Sequence, residues 1–129
     1  MNEELSSYIE KLLKQSPEIS SIWLFGSRAN GTAKETSDWD LLVFGSEKVF
    51  NSIKGNCDLK NDFIDLMVVV DSENLASPWS NKRGQLSDWQ WKEISSSEAT
   101  YIGTKEPTDG TAWYRSETKK QKAIKVWPK

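Results

Sequence analysis

The chain has 129 residues, with no histidine, one cysteine, and 19 acidic against 17 basic residues. The lack of histidine excludes a Ser-His-Asp or Cys-His catalytic group and a histidine-ligated zinc site, and a single cysteine excludes an internal disulfide. The many carboxylates leave open a metal site built from oxygen ligands.

Charge and tryptophan are unevenly distributed along the chain. The first part is net acidic, whereas the second is net basic and holds five of the seven tryptophans. The change near Ser77 predicts a core of residues 1–76 and a basic, Trp-rich β extension of residues 77–129 that packs on the same domain. The acidic N-terminus lacks a signal pattern and no apolar run suits a membrane span, so we expect a cytoplasmic protein without membrane contact, which suits an unpaired Cys57.

Apolar periodicity and turn residues predict alternating helices and strands in the first part. In chain order these are a helix over 3–14, a strand over 19–25, a short helical turn within 27–36, a strand over 38–44, a helix over 46–54 and a strand over 63–70. The β-α-β spacing predicts an α/β (α+β) fold, with a small mixed β-sheet and helices packed on it.

The second part has the pattern of β structure. Residues 86–94 alternate, which predicts a strand with Trp89 and Trp91 on one face. Further predicted strands are 99–103, 111–115 and 122–127, with a hairpin turn at 108–110. We interpret the tryptophans as core residues, with base stacking as the alternative. The lysines after Thr118 fit a solvated strand or frayed end, or a contact with RNA or an acidic partner.

Two aspartates flank Trp39 in the second predicted strand. Asp38 and Asp40 share a face, while Trp39 and Leu41 point into the core. Two carboxylates about 4 Å apart repel by about 4 kcal/mol at an effective dielectric constant of about 20, and Mg²⁺ commonly offsets such repulsion. If the strand of Asp65 is adjacent, three carboxylates form a two-metal platform for phosphoryl chemistry. The alternative is a solvated strand edge with acids at its ends.

Gly26 and Ser27 follow the first predicted strand. Glycine permits a tight turn and close backbone approach, the next helical turn offers free N–H groups for phosphate, and Ser27 adds a hydroxyl donor. Arg28 and Lys34 are nearby cations for a polyphosphate, although Arg28 fits a surface position equally well. Alone, this segment would be an ordinary strand-to-helix turn, but the acids downstream favour a nucleotide site.

These motifs resemble the signature of the DNA polymerase β-like nucleotidyltransferases. In that signature, an apolar strand, Gly-Ser, a spacer and Asp-x-Asp on a strand are followed by a third carboxylate on a later strand. LFGSRANGTAKETSDWDLLVF matches, with Asp65 in IDLMVV as the third acid, and the resemblance covers about residues 5–70. The Gly-Ser-Arg form looks most like the minimal nucleotidyltransferase (MNT) subgroup. Trp39 replaces the usual small aliphatic residue, and the part after Pro78 matches no pattern we can name.

The resemblance implies a polymerase β-like nucleotidyltransferase fold and an enzyme that uses two Mg²⁺ ions, or Mn²⁺ in their place. It implies three catalytic, metal-binding residues, Asp38, Asp40 and Asp65, of which Asp65 helps to activate the acceptor hydroxyl. It also implies that Gly26 and Ser27 hold the triphosphate of a nucleoside triphosphate, for which ATP is expected, and we add Arg28 to this nucleotide-binding set.

The resemblance further implies transfer of a nucleoside monophosphate, AMP from ATP, to a hydroxyl of a protein or RNA. Many MNT proteins resemble antitoxins that act beside a HEPN-type RNase toxin, so such a toxin is an expected partner, and RNA is another through the basic Trp-rich part. The alternative is a catalytically inactive nucleotidyltransferase-fold module that binds a partner protein or RNA. Sugar transfer, which also uses Asp-x-Asp, is disfavoured by the short length and the upstream Gly-Ser.

Overall fold

The computed structural model describes residues 3–31, 38–102 and 120–128. Within these ranges there are four helices, a 3-10 turn at Cys57–Leu59, and eight strands. The helices are α1 (Glu3–Gln15), α2 (Ser27–Asn30), α3 (Glu47–Lys54) and α4 (Leu86–Trp89). The strands are β1 (Ser21–Phe25), β2 (Trp39–Phe44), β3 (Ile64–Val69), β4 (Asn74–Ala76), β5 (Arg83–Gln85), β6 (Lys92–Glu93), β7 (Glu98–Ile102) and β8 (Lys120–Trp127).

All eight strands belong to one mixed sheet in the order β5-β4-β3-β2-β1-β8-β7-β6. β2 and β3 run parallel, as a β-α-β unit requires, and the other pairs are antiparallel. β8 lies between β1 and β7, so strands from both sides of Ser77 share the sheet. β8 pairs with β7 through residues 120–124 and with β1 through Ile124, Lys125 and Trp127. Of the two interpretations of the lysine-rich segment, a solvated strand agrees with residues 120–127, where Lys120 and Lys122 are exposed, and a frayed end does not.

Two helices pack on one face of this sheet. Leu5, Tyr8, Ile9 and Leu12 recur at helical spacing and are buried on one side of α1. With Val49 and Ile53 of α3 they contact the sheet residues Ile22, Leu24, Leu41, Val43, Leu66 and Val68. The buried Tyr8 hydroxyl donates to the Leu59 carbonyl at 2.6 Å, and burial raises its pKa above the ordinary value for tyrosine. We call this side the helical face.

The other face carries α4 and an aromatic cluster, which we define as Trp23, Phe25, Phe44, Trp89, Trp91 and Tyr101. Trp23 is only 1% exposed and meets Trp91 edge-on, with ring centroids 5.2 Å apart. Such aromatic pairs contribute about 0.5–1.5 kcal/mol each beyond their buried area. Three of the tryptophans therefore contribute to a second hydrophobic core, on the face of the sheet opposite the helical face.

Most of the predicted elements are confirmed. The helices over 3–14 and 46–54 and the strands over 19–25, 38–44, 63–70, 99–103 and 122–127 all occur within about two residues of their predicted ends. The predicted fold class, a mixed sheet with helices packed on it and a β-rich C-terminal part, is confirmed as well. The predicted strand at 111–115 and the turn at 108–110 lie outside the described residues.

The predicted strand over 86–94 is wrong. Leu86–Trp89 form a helical turn, Gln90 reverses the chain at φ 52°, and only Lys92–Glu93 pair as a strand. Trp89 and Trp91 still pack on the same face of the sheet, which confirms their interpretation as core residues. Trp89 and Trp91 share a face because Gln90 between them has a left-handed backbone conformation, and not because these residues form an extended strand.

No helix in the described ranges is both long and apolar enough to cross a lipid bilayer.

Candidate active site

Asp40 of β2 and Asp65 of β3 lie opposite each other in the sheet. The parallel register pairs residue 40 with residue 65, and adjacent strands are about 4.8 Å apart. Leu42 and Met67, two residues further along each strand, pack with the aromatic cluster, so both aspartates project from that face. Asp38 precedes β2 and is exposed. The two acid-bearing strands are therefore adjacent, which is the condition under which the sequence places Asp65 beside the first pair of acids.

Asp65 and Asp38 influence the Asp40 carboxyl. Burial raises the pKa of Asp40 from 3.8 to about 6, and the negative charges of Asp65 and Asp38 add to the rise. A carboxyl group whose proton affinity is raised by like charges lies in a region of negative potential. This part of the sheet is therefore suited to bind a cation.

Lys82 supplies a positive charge at this position. Its Nζ lies 3.4 Å from Asp65 Oδ2, and its charge partly opposes the rise in the pKa of Asp40. Lys82 lies between β4 and β5, where the Ser77 N–H donates to the Lys82 carbonyl at 3.0 Å and closes the hairpin of these two strands. Sequence reasoning missed Lys82, because β4 and β5 are three residues each and leave no periodic signal.

The carboxylates are close but do not form a closed metal cage. In the part of the chain that the structure describes, no group of three or more Asp, Glu, His or Cys side chains is arranged so that it could hold a metal ion. The donor set still fits a hard divalent cation, because all three groups offer oxygen ligands and Asp40 and Asp65 are in register.

The glycine turn packs directly against Asp40. Gly26 has φ 72° and ψ −157°, a backbone region that only glycine adopts without strain. Phe25 is paired with Asp40 in the β1–β2 register, and a Cβ built on Gly26 would overlap Asp40 Oδ2. The structure thus brings the Gly-Ser segment and the acidic segment together.

Side chains hold both backbone polar groups of Gly26. Its N–H donates to the Tyr101 hydroxyl at 2.7 Å, and the same hydroxyl donates to Gln121 Oε1 at 3.0 Å. The Gly26 carbonyl accepts from Asn30 Nδ2 at 2.8 Å. Asn30 in turn exchanges hydrogen bonds with the backbone of Lys122, at 2.9 and 3.1 Å. The turn is therefore tied to β7 and β8.

The remaining predicted residues lie beside this turn. Ser27 begins α2, which is four residues long and ends at Gly31. The Arg28 guanidinium lies 4.4 Å from the centroid of the Trp39 ring, a cation–π contact. Trp39, the residue between the two aspartates, packs against the core of the helical face and also contacts Arg28. Lys34 lies outside the described residues.

A family model described as "Polymerase beta, Nucleotidyltransferase" matches residues 7–94, more than half of the chain. The chain belongs to this family. This polymerase β-type nucleotidyltransferase domain contains the glycine turn and all three aspartates, whereas β7 and β8 follow the matched region.

The similar solved structures include that of spectinomycin adenyltransferase AAD(9) from Enterococcus faecialis with ATP and spectinomycin. The match has 17% identity and a TM-score of 0.43, and covers 68% of this chain and 50% of that one. The chain thus spans about half the length of that protein. A search of curated proteins gave no match.

Replacing Gly26 with alanine should lower the free energy of unfolding by about 2–4 kcal/mol. Positive φ costs about 1–2 kcal/mol in an L-residue, and the methyl group would also displace the Asp40 carboxylate. Gly31→Ala is the matched control, because Gly31 also has φ 72° but has no atom within 4 Å of its Cβ position. Denaturant unfolding measures both variants, and equal decreases would show that the packing against Asp40 contributes nothing.

Proposed function

We propose that this nucleotidyltransferase moves a nucleoside monophosphate, AMP from ATP, to a hydroxyl of a protein or RNA in the presence of Mg²⁺, which Mn²⁺ can replace. The observation that carries the proposal is the direct pairing of Asp40 with Asp65, with Gly26 packed against Asp40. A nucleotide site needs this combination, because the triphosphate and its metal must lie next to each other.

In this proposal, Asp38, Asp40 and Asp65 hold the metal. The ion, when bound, neutralises charge that develops on the α-phosphate and lowers the pKa of the acceptor hydroxyl. Gly26, Ser27 and Arg28 orient the triphosphate so that the α-phosphorus faces the acceptor. Asp65 helps to remove the proton from the acceptor hydroxyl, whose oxygen bonds to the α-phosphorus as the bond to pyrophosphate breaks. The positive charge of Lys82 balances the carboxylates when the site is empty of metal.

The acceptor that we propose is a HEPN-type toxin protein. The Gly-Ser-Arg-x-x-Gly-x-Ala and Ser-Asp-x-Asp-Leu segments support assignment to the minimal nucleotidyltransferase subgroup, in which an antitoxin role is common. RNA is the second candidate acceptor, supported by the lysines of β8 at positions 120, 122 and 125. A small helical RNase encoded beside this gene would favour the first.

The test is to incubate the protein with Mg²⁺, α-labelled ATP and the purified product of the adjacent gene or total RNA. Label should move to an acceptor, and Asp38→Asn or Asp65→Asn should reduce the rate by about 10²–10³-fold, the usual effect of losing one electrostatic stabiliser. Asp58→Asn is the control, because Asp58 is exposed and lies in the 3-10 turn of the helical face.

The position of the label separates this reaction from phosphate transfer. γ-Labelled ATP should leave the acceptor unlabelled, because the γ-phosphate departs in pyrophosphate. Absence of α-label transfer from all four nucleoside triphosphates to both acceptors would contradict the proposal and favour an inactive binding module.

A further inference from the structure

We propose that Tyr101 is a positioning residue for the nucleotide, acting through Gly26, so that β7 and β8 complete the nucleotide site. This inference rests on the proposed function and adds a role for strands that follow the family match, which ends at residue 94. It also gives a role to the C-terminal part of the chain, for which the sequence suggested packing or partner contact.

Contacts hold both the ring and the hydroxyl group of Tyr101 in place. It is 4% exposed, and its ring meets Phe25 edge-on, with ring centroids 5.9 Å apart, and stacks on Trp91 at 6.4 Å. Its hydroxyl accepts from the Gly26 N–H at 2.7 Å and donates to Gln121 Oε1 at 3.0 Å. Its hydroxyl hydrogen is therefore directed at Gln121, which leaves the oxygen free to accept from Gly26.

Gly26 needs such support because its backbone conformation is sparsely populated. Residues at φ 72° and ψ −157° persist where surrounding contacts over-determine them. Tyr101 holds the amide of Gly26, and Asn30, anchored to the Lys122 backbone, holds its carbonyl. The carbonyl also accepts from the N–H groups of Ala29 and Asn30 in α2 itself, so β8 supports it only through the Asn30 side chain, whereas the amide depends on Tyr101 of β7.

A movement of Gly26 would be transmitted to the site in two directions. On one side, the Gly26 α-carbon packs against the Asp40 carboxylate. On the other, Ser27 follows directly and begins α2. Because Gly26 lies between the Asp40 carboxylate and α2, loss of the Tyr101 hydrogen bond should displace both and weaken nucleotide binding more than loss of a buried hydroxyl elsewhere in the protein does.

The chain provides a matched control in Tyr8. Tyr8 is also buried, at 6% exposure, and its hydroxyl also bonds to a backbone group, the Leu59 carbonyl at 2.6 Å. Tyr8 lies on the helical face, away from the aspartates. Tyr8→Phe and Tyr101→Phe each remove one buried hydroxyl, but only Tyr101→Phe removes a hydrogen bond to Gly26.

The experiment measures the Kd of α,β-methylene-ATP with Mg²⁺ by titration calorimetry for wild type, Tyr101→Phe and Tyr8→Phe. We expect Tyr101→Phe to raise the Kd about tenfold or more and Tyr8→Phe to leave it within about twofold. In turnover, KM for ATP should rise more than kcat falls. Amide hydrogen exchange at Gly26 should accelerate in Tyr101→Phe alone, which tests the hydrogen bond without nucleotide. If Tyr101→Phe does not fold, Gln121→Met replaces it, because it removes the acceptor that directs the Tyr101 hydroxyl hydrogen away from Gly26. The same selective rise in Kd is then expected, and an unchanged Kd would overturn the inference.

Each outcome decides the inference. Suppose that the wild type binds the nucleotide. An unchanged Kd in Tyr101→Phe, or an equal rise in Kd in both Tyr→Phe variants, would then overturn the role of Tyr101 and leave the proposed function standing. Wild type that binds no nucleotide would overturn both. Selective weakening by Tyr101→Phe, or by Gln121→Met in its place, would support the inference.

Discussion

Replacing Asp40 with asparagine should stabilise the metal-free protein at pH 7 while it abolishes nucleotidyl transfer. Burial, with the charges of Asp65 and Asp38, raises the pKa of Asp40 from 3.8 to about 6, so the folded protein binds this proton more tightly than the unfolded chain does. The contribution of Asp40 to stability therefore falls as pH rises from about 4 to 6, and the full penalty is present at pH 7. Asparagine has nearly the same shape and carries no charge.

The expected gain is modest. A rise of about two pKa units corresponds to about 3 kcal/mol at most, and partial solvent exposure reduces this to about 1–2 kcal/mol. Urea unfolding of wild type and Asp40→Asn at pH 4, 5, 6 and 7 measures it, with Asp58→Asn as the exposed control. The advantage of Asp40→Asn should be largest at pH 7 and disappear near pH 4. A variant less stable than wild type at pH 7 would contradict the electrostatic account.

The same variant tests the metal site. Mg²⁺ should raise the stability of wild type at pH 7, because it binds the folded state, and should have little effect on Asp40→Asn. Transfer of label from ATP should fall by about 10³-fold or more. If Asp40→Asn is both more stable and inactive, then the Asp40 carboxylate destabilises the fold and is kept for function.

Local patterns predicted much of this molecule. The helical spacing of Leu5, Ile9 and Leu12 and the apolar strands around Asp40 and Asp65 depend on neighbouring residues alone, and the structure confirms these elements. The sequence left open whether the strands of Asp40 and Asp65 are neighbours, and the structure pairs them in parallel, as is usual for the strands of a β-α-β unit.

Interactions between distant segments could not be predicted in the same way. The hydrogen bond from Gly26 to Tyr101 spans 75 residues, and the ion pair of Lys82 depends on a short hairpin without a periodic pattern. The strand near residues 122–127 was predicted, but its place between β1 and β7 was not, since a lysine-rich sequence suggests a solvated edge. Its charged side chains remain partly exposed although its backbone is paired on both sides.

Deleting residues 120–128 should therefore unfold the protein rather than remove a separable tail. β8 pairs with β1 on one side and β7 on the other, so its removal exposes the edge of β1 and detaches β6 and β7 from the sheet. It also removes the buried Ala123, and it removes Gln121 and Lys122, which bond to Tyr101 and Asn30, the residues that hold Gly26. Because a domain has only about 5–15 kcal/mol of net stability, we expect the deleted protein to lose its cooperative unfolding transition and to aggregate through the exposed edge.

The matched control keeps the strand and removes its charge. Lys120, Lys122 and Lys125 replaced together by glutamine should change the free energy of unfolding by only about 1 kcal/mol, since their interactions are a long ion pair with Glu98 at 3.9 Å and a cation–π contact with Trp23 at 5.7 Å. If these lysines bind RNA, the slope of log Kobs against log salt should shrink by about 0.7 for each phosphate that the variant no longer neutralises. An unchanged slope would reject RNA binding by β8, and a deletion variant that unfolds cooperatively would contradict its place inside the sheet.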